Sequence, residues 1–298
     1  MNWYLPEGLQ PRTAPLSAAQ LRQALERGTL LTAPALWCDE AHGLHVDLGC
    51  CEGVIPRAEA DLGVAEGTAR DIAILSRVGR PVTFRVTALP AGEPAQLSRA
   101  AAQREARDAL FARRRPGDIL PAVVTSLAPF GAFCDVGCGF PALLPLERLA
   151  VARVRHSRER LARDQPIYAA VLRLDEGRRR VTLTLRELLG TWEENAARFR
   201  AGQTVPGVVR GVTGYGVFVE LAPNLSGLAE ADPSLQPGDA VTVYLKSIDP
   251  ARRRIKLAIL SRLDAADLPR PPLPYTRTEG HLDAWQYRAD EPKRRVLF

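Results

Sequence analysis

An eight-residue motif occurs three times in this chain of 298 residues. The copies read HGLHVDLG from His42, FGAFCDVG from Phe130 and YGVFVELA from Tyr215, at spacings of 88 and 85 residues. Each copy follows a glycine with an apolar run and precedes a short apolar stretch (GVIP, ALLP or GLAE). A repeat on this scale indicates three similar domains rather than one large one.

Two segments of alternating polarity close each repeat. They are VTFRVTAL and AQLS in the first repeat, IYAAVLRL and VTLT in the second, and VTVYLKSI and IKLAI in the third. Alternation with period two predicts β-strands. Five short strands per repeat suit a closed Greek-key barrel, which leaves no open sheet edge. We therefore predict a mainly β protein of three tandem five-stranded OB-fold barrels joined by short α-helices.

Helical segments are predicted between the barrels. Capping boxes occur at Ser17 with Gln20, before a stop at Gly28, and at Thr191 with Glu194, before an end near Gly202. The third helix is expected from Ser98 to Arg114.

These signals divide the chain into four parts. We predict a degenerate repeat with an N-terminal helix over 1–105, repeats over 106–190 and 191–262, and a Pro-rich extended tail over 263–298 that packs Trp285 on a neighbouring domain.

Charge is concentrated in the middle of the chain. The net charge is +6; residues 1–98 hold 8 basic and 11 acidic residues, whereas residues 99–190 hold 17 and 10. A concentrated basic region indicates a polyanionic partner. Arginine accounts for 37 of the 40 basic residues, a bias that genome composition also explains.

The sequence indicates a reduced, cytoplasmic protein without a membrane partner. It contains no apolar run of about 18 residues and no secretory signal at its N-terminus. Its five cysteines are an odd number, and adjacent Cys50 and Cys51 are poor disulfide partners.

Paired aromatics in the second and third motifs point to nucleobase stacking. Phe130 with Phe133, and Tyr215 with Phe218, stand at i and i+3, which puts them on opposite faces of a plain strand. A bulge or bend at the intervening glycine brings both rings to one side. Exposed rings stack on bases, at about 1–3 kcal/mol per base. The alternative is that the rings fill the barrel core.

Two matching hairpins add positive charge. RLDEGRRRVTLT and SIDPARRRIKLA place an Asp and an Arg at one spacing, with Lys256 on the second strand. Guanidinium groups pair with phosphate or stack on bases; the alternative is a polar turn that favours solubility. His156, in RVRHSRER, is expected to assist binding. The predicted RNA-binding residues are Phe130, Phe133, His156, Asp175, Arg180, Tyr215, Phe218, Asp249, Arg254 and Lys256.

The first repeat departs from this pattern. His42 and His45 replace the aromatics, Pro94 precedes the last strand, and the local charge is negative. We expect this repeat to bind RNA weakly or not at all and to dock on protein. Its His and Cys residues lack the Cys-x-x-Cys spacing of a zinc knuckle. The sequence contains no recognisable catalytic motif, so we predict no metal, no cofactor and no catalytic residue.

The motifs resemble a known family. GDILPAVVTSLAPFGAFCDVG with ALLPLERL and RRRVTLTLREL, over 117–188, is similar to the S1 RNA-binding domain, the repeat named for bacterial ribosomal protein S1. Residues 202–260 are a second match and 28–105 a degraded one. The resemblance implies that the two aromatics and the hairpin Asp and Arg form an RNA face. Pro145 and Glu230 stand where the family commonly has a histidine, and His156 is a candidate to compensate.

The whole chain is similar to the short three-repeat S1-like proteins of Clostridia-type bacteria. This resemblance implies a non-enzymatic protein that binds single-stranded RNA or mRNA in translation, with the small ribosomal subunit as a partner through the acidic first repeat. An RNA-delivering subunit of a degradation or transcription complex is the alternative from another class. A hydrolase or metalloenzyme would require bound zinc at the first repeat.

Overall fold

Each repeat folds into a closed barrel of five strands. The structure is a computed structural model, and it describes residues 4–13, 15–264, 272–287 and 295–298. The strands of barrel one are β1 (Leu30–Cys38), β2 (Leu44–Asp47), β3 (Glu52–Ile55), β4 (Pro81–Ala88) and β5 (Ala95–Ser98). Those of barrel two are β6 (Ile119–Ala128), β7 (Gly131–Asp135), β8 (Pro141–Pro145), β9 (Pro166–Asp175) and β10 (Arg180–Thr184). Barrel three contains β11 (Thr204–Thr213), β12 (Gly216–Ala222), β13 (Leu225–Ala229), β14 (Ala240–Asp249) and β15 (Arg254–Leu263).

The three barrels share one strand order. In barrel one the neighbours run β1-β2-β3-β5-β4 before the barrel closes, and the other two barrels repeat this order. The contact between the third and fifth strands is parallel, and every other pair is antiparallel. Alternate side chains of the strands fill a separate apolar core in each barrel. The predicted fold class is confirmed.

Helices lie around the barrels. They are α1 (Ala18–Arg27), α2 (Arg57–Ala60), α3 (Leu62–Ala65), α4 (Ile72–Leu75), α5 (Arg99–Arg113) and α6 (Trp192–Ala196). Both predicted capping boxes form, at Ser17 and at Thr191. The three short helices between β3 and β4 of barrel one have no counterpart in the sequence prediction.

The predicted end of the helix after Thr191, near Gly202, is wrong. The helix stops at Ala196, because the chain tightens into shorter turns: Phe199 N donates to Ala196 O at 3.0 Å. One turn is enough to bury both Trp192 and Ala196 in the core of barrel three.

A buried ion cluster joins barrels one and two. Arg99, at the start of α5, is almost fully buried and donates to both carboxylate oxygens of Glu7, at 2.6 and 3.0 Å, and to Asp61 at 2.7 Å. The backbone N–H of Glu7 donates to buried Asp135 of β7 at 2.7 Å. Charges taken out of water need such partners, so the cluster fixes one barrel on the next.

A second junction joins barrels two and three. Fully buried Asn224 accepts from Val151 N at 2.9 Å and donates to the carbonyls of Arg186 and Gly190 at 2.7 and 2.8 Å. It lies between β12 and β13, so one amide of barrel three satisfies three backbone groups of barrel two and the linker after it.

The tail returns over this second junction. Ile119 N, at the start of β6, donates to Gly280 O at 3.0 Å, and the Tyr287 hydroxyl donates to Asn224 O at 2.7 Å. Trp285 lies in the short pair β16 (Ala284–Gln286) with β17 (Arg295–Leu297) and packs in the core cluster of barrel three, as the sequence predicted. Residues 265–271 and 288–294 of the tail lie outside the described residues. The domain boundaries given above stay a prediction.

Candidate nucleic-acid interface

The same backbone irregularity precedes each motif. The first strand of every barrel has a register shift, between Ala35 and Trp37, between Val124 and Ser126, and between Val209 and Gly211. The residues after the shift pair with the second aromatic position, as Ser126 does with Phe133. Bulges of this kind increase local twist and redirect side chains.

Glycine is required where the motif enters its strand. A Cβ on Gly131 would lie 2.3 Å from Leu144 O, and one on Gly216 would lie 2.5 Å from Ala229 O. The close approach of the neighbouring strand lets the preceding ring and the ring two residues later reach the same side.

The paired rings form two exposed platforms. Phe130 and Phe133 have ring centroids 6.0 Å apart with planes at 86°, and Tyr215 and Phe218 repeat this arrangement at 6.0 Å and 89°. Their exposed fractions are 58% and 37%, and 71% and 36%, respectively. The rings therefore lie outside the barrel cores, contrary to the alternative that they are core residues. An edge-to-face pair leaves ring faces open for a planar ligand.

Each platform continues across the sheet. Phe218 pairs with Leu228, and Leu228 pairs with Lys256, so these three side chains stand in one row. The equivalent row in barrel two is Phe133, Leu143 and Thr182. The structure thus brings Lys256 to the platform of barrel three, whereas barrel two carries a neutral hydroxyl at that place.

In each hairpin, one arginine contacts another part of the protein and another is exposed to solvent. Arg179 and Arg253, the middle residues, have positive φ angles of 50° and 49°. Arg179 lies 5.0 Å over the Phe111 ring and 3.3 Å from Asp108, and Arg253 pairs with Glu193 at 2.5 Å. Both are thus held by segments that precede their barrels.

Arg180 and Arg254 are the arginines left for a ligand. Both are exposed, and within the described ranges neither has an ion-pair partner. From strand spacing and rise, Arg180 lies about 12 Å from Phe133 between Cα atoms. One extended polyanionic strand can therefore touch both residues.

Asp175 and Asp249 act within the turns. Asp175 accepts from Arg178 N at 3.0 Å, and Asp249 accepts from Arg252 N at 2.9 Å. A carboxylate bonded to its own turn is a typical Asx-turn. The structure therefore gives these two residues a role in shaping the hairpin that carries the arginines.

His156 lies beside the first platform, in the loop between β8 and β9. Its Nδ1 accepts from Arg158 N at 3.1 Å, and the hydroxyl of the next residue, Ser157, donates to Ala128 O at 2.9 Å. Ala128 ends β6 and pairs with Gly131, the residue after Phe130. The motif RVRHSRER also holds Arg153, Arg155 and Arg158, all exposed, which the sequence prediction did not single out.

The first barrel has a different surface at the equivalent positions. His45 stacks under Trp37 with centroids 3.6 Å apart, and its two ring nitrogens lie 2.6 Å from Glu52 and 3.1 Å from Asp39. His42 faces Asp71 at 3.8 Å. Hydrogen bonds from Gly43 N and from His45 hold the pKa of Asp39 below its ordinary value. These carboxylates make the site unfavourable for phosphate.

Glu230, at one of the positions without the family histidine, is neutralised by its neighbour. Its carboxylate accepts from the Lys246 ammonium at 2.8 Å, and this contact lowers the pKa of Glu230. It leaves no unpaired negative charge at the end of β13.

The cysteines and histidines do not assemble a metal site among the described residues. Cys134 and Cys138 are fully buried, and burial raises the pKa of Cys134 to about 12 and also raises that of Cys138. Thiols held protonated in this way pack as small apolar side chains. None of the helices in the described ranges is long and apolar enough to cross a membrane.

The amino-acid sequence of barrel two matches a known family. Residues 113–186, which enclose β6 to β10, match the family model of the S1 RNA binding domain. This chain contains an S1 domain. The S1 match covers the barrel that carries Phe130, Phe133 and Arg180.

The chain is also similar to small ribosomal subunit protein bS1. It is 35% identical over 168 residues to that of Neisseria meningitidis, covering 52% of this chain and 30% of the relative. It is 28% identical to that of Rhizobium meliloti, covering 74% and 41%, and 28% identical to that of Staphylococcus aureus, covering 76% and 60%. The chain therefore spans less than two thirds of the length of these relatives.

Among solved structures, a multidomain protein with nucleic acid binding domains from Streptococcus pneumoniae covers 81% of this chain and 76% of its own, at 14% identity and a TM-score of 0.27. An a/eIF2alpha–aDim2p–rRNA complex from Pyrococcus horikoshii covers 28% of this chain and 51% of its own, at 26% identity and a TM-score of 0.25.

Proposed function

We propose that barrels two and three bind single-stranded RNA. The observation that carries the proposal is the repeated, exposed pair of perpendicular rings, together with an arginine on the adjoining hairpin that has no ion-pair partner among the described residues. Stacking on such rings is tolerant of sequence, and arginine pairs with the phosphate chain. In this proposal Phe130, Phe133, Tyr215 and Phe218 stack bases, while Arg180, Arg254, Lys256 and His156 contact the backbone, and Asp175 and Asp249 shape the hairpins.

The protein acts by holding RNA, without catalysis, metal or cofactor. Its relatives named small ribosomal subunit protein bS1 support a role in the cytoplasm, in translation at the small ribosomal subunit. Barrel one then serves for docking on protein, because its carboxylates disfavour RNA and its surface exposes Leu36, Trp37 and Ile72. Cosedimentation with small subunits tests this part: deletion of 1–98, which leaves α5 whole, is expected to abolish it, and retention would contradict the docking role.

Fluorescence anisotropy of a labelled RNA tests the binding face. Phe130→Ala, Phe133→Ala, Tyr215→Ala and Phe218→Ala are each expected to cost about 1–3 kcal/mol of binding free energy. Tyr244→Ala is the matched control, because Tyr244 is a similarly exposed aromatic that pairs with Thr204, at the other end of β11 from Gly211. Loss of affinity confined to the four platform variants supports the proposal. Absent RNA binding, or an equal loss in the control, would contradict it.

A further inference from the structure

The loop between β8 and β9 of barrel two docks beside the platform of barrel three. Glu220 stands two residues after Phe218 on β12, on the same side of the strand, and it is nearly buried. Arg160, from the loop of barrel two, pairs with Glu220 at 2.5 Å, and Arg210 of β11 pairs with it at 2.5 Å. Arg210 also pairs with Glu159 of the loop. The loop is therefore fixed on the ring-bearing face of barrel three.

The same loop is fixed at the platform of barrel two. Val154 and Leu161 are buried in the core of that barrel, and Ser157 donates to Ala128 O, next to the turn that carries Phe130. Its earlier part reaches barrel three again, where Ala152 N donates to Pro223 O at 3.1 Å. Few conformations satisfy all these contacts, so the loop forms a fixed connection between the two platforms.

Cations cover this connection. Arg153, Arg155 and Arg158 are exposed, and His156 is half-buried among them. Arg155 lies 3.6 Å from Glu159, while Arg153 and Arg158 have no ion-pair partner within the described part of the chain. Glu159, the acidic residue of the segment, is already paired with Arg210. The exposed charge of segment 153–158 is thus positive.

We propose that the loop segment 153–158 is a phosphate-binding bridge that joins the two platforms into one continuous track for a single RNA strand. This inference rests on the proposed RNA binding of each platform and adds the residues that connect them. It selects RNA by length: a short strand uses one platform, whereas a strand that exceeds one barrel also crosses Arg153, Arg155 and Arg158. Single OB barrels cover roughly 4–16 nucleotides.

The experiment compares two RNA lengths and two triple variants. The bridge variant is Arg153→Gln, Arg155→Gln and Arg158→Gln, and the control is Arg12→Gln, Arg22→Gln and Arg104→Gln, which removes three exposed arginines in the first 105 residues. A uridine-rich RNA of about 6 nucleotides fits on one barrel, whereas one of about 30 nucleotides exceeds what one barrel covers. Anisotropy is measured across salt concentration, and thermal melting verifies that both variants fold.

If the two platforms form one track, the loss of RNA affinity in the bridge variant depends on RNA length. The bridge variant is expected to bind the long RNA about 10- to 100-fold more weakly at moderate salt, with a log–log salt slope smaller by about 2, because three phosphate contacts are removed at about 0.7 each. The short RNA and the control variant are expected to change by less than about threefold. An equal loss for both RNA lengths, or a long-RNA loss no larger than that of the control, would overturn the track.

Failure of the track is distinguishable from failure of the RNA platforms. If the short RNA binds and Phe133→Ala weakens it while the bridge variant leaves the long RNA unchanged, the platforms stand and the bridge is wrong. If neither RNA binds the wild-type protein, or if platform variants change nothing, the proposed function itself is contradicted.

Discussion

At the two positions where barrels two and three expose aromatic rings, barrel one carries His42 and His45, and the local surface is rebuilt around them. His45 is covered by Trp37 and held between Asp39 and Glu52, whereas Phe133 and Phe218 lie open beside a neighbouring ring. The strand order and the bulge in the first strand are the same in all three barrels, and each motif has a glycine at its second position. The barrel is therefore a scaffold set by buried residues, and ligand chemistry is set by a few exposed ones.

A second difference concerns the acidic residue that stands two positions after Phe133, Phe218 or His45 in each motif. Asp135 and Glu220 are buried, and each receives groups from the preceding part of the chain: Glu7 N for Asp135 and Arg160 for Glu220. Asp47, the equivalent residue of barrel one, is exposed and accepts only from Gly49 N, at 2.8 Å, among its described neighbours. The acid at this motif position thus helps to join neighbouring barrels where it is buried, in barrels two and three. In barrel one, where it is exposed, it accepts a hydrogen bond within its own turn.

The largest expected effect comes from the cluster that attaches barrel one. Arg99→Ala leaves Glu7 and Asp61 without their buried cation, so the free energy of unfolding is expected to fall by about 3–5 kcal/mol. Chemical denaturation measures this. Arg104→Ala, on the exposed side of the same helix, is expected to change it by less than about 0.5 kcal/mol. Similar values for the two variants would show that barrel one is not held through Arg99.

The next largest effect is the difference in stability cost between changing the buried acid Asp135 and changing the exposed acid Asp47. Asp135→Asn places an amide N–H against the N–H of Glu7, so it is expected to cost about 1–3 kcal/mol of stability, whereas Asp47→Asn costs less than about 0.5 kcal/mol. Equal costs, measured by denaturation, would remove the distinction between the two positions.

The Asp135→Asn variant also gives a test of how stability depends on pH. Burial and the nearby Glu7 carboxylate raise the pKa of Asp135 to about 7, above about 3.9 in an unfolded chain. The folded state therefore binds the proton more tightly, and this stabilisation is complete below about pH 4 and is lost as the pH rises through 7. The stability of wild type relative to Asp135→Asn should fall over that range; a rise would contradict the assignment.

A smaller effect is expected from changing the hairpin Asp and Arg, two residues that barrel one lacks: the Asp variant loses stability, whereas the Arg variant loses RNA affinity. Asp175→Ala removes the acceptor for Arg178 N and is expected to cost about 0.5–1.5 kcal/mol of stability, and Asp175→Asn, which keeps an acceptor, restores most of it. Arg180→Ala is expected to leave stability unchanged and to lower the salt slope of RNA binding by about 0.7. If Asp175→Asn lowered RNA affinity as much as Arg180→Ala, the carboxylate would be a direct contact.

The smallest effect is expected from transplanting the rings. His42→Phe with His45→Phe, made in a protein whose four platform residues are alanine, should raise RNA affinity by less than about threefold. His42 has a φ angle of 62°, which a bulky side chain adopts at a cost of about 1–2 kcal/mol, and Asp39, Glu52 and Asp71 repel phosphate. A gain of tenfold or more, measured by anisotropy, would show that two side chains alone make the difference.

The barrels could be predicted from the sequence because strand alternation and the repeated motif are local signals. The proximity of Phe130 and Phe133 followed from the glycine between them, and the structure confirms it. The junctions could not be predicted in this way: Glu7 and Arg99 are 92 residues apart, and nothing near either residue marks a buried partner. The contacts that Asn224 and Arg160 make across barrels could not be predicted for the same reason. Only the fold shows that the loop after β8 reaches barrel three.

The most direct test maps where RNA lies on the whole protein. An RNA of about 30 nucleotides carrying 4-thiouridine is cross-linked by light to the wild-type chain, and the attached peptides are identified by mass spectrometry. Cross-links are expected at Phe130 and Phe133, at Tyr215 and Phe218, and in segment 153–158. Cross-links concentrated at Trp37 and His45 of barrel one, with none on the two platforms, would contradict it.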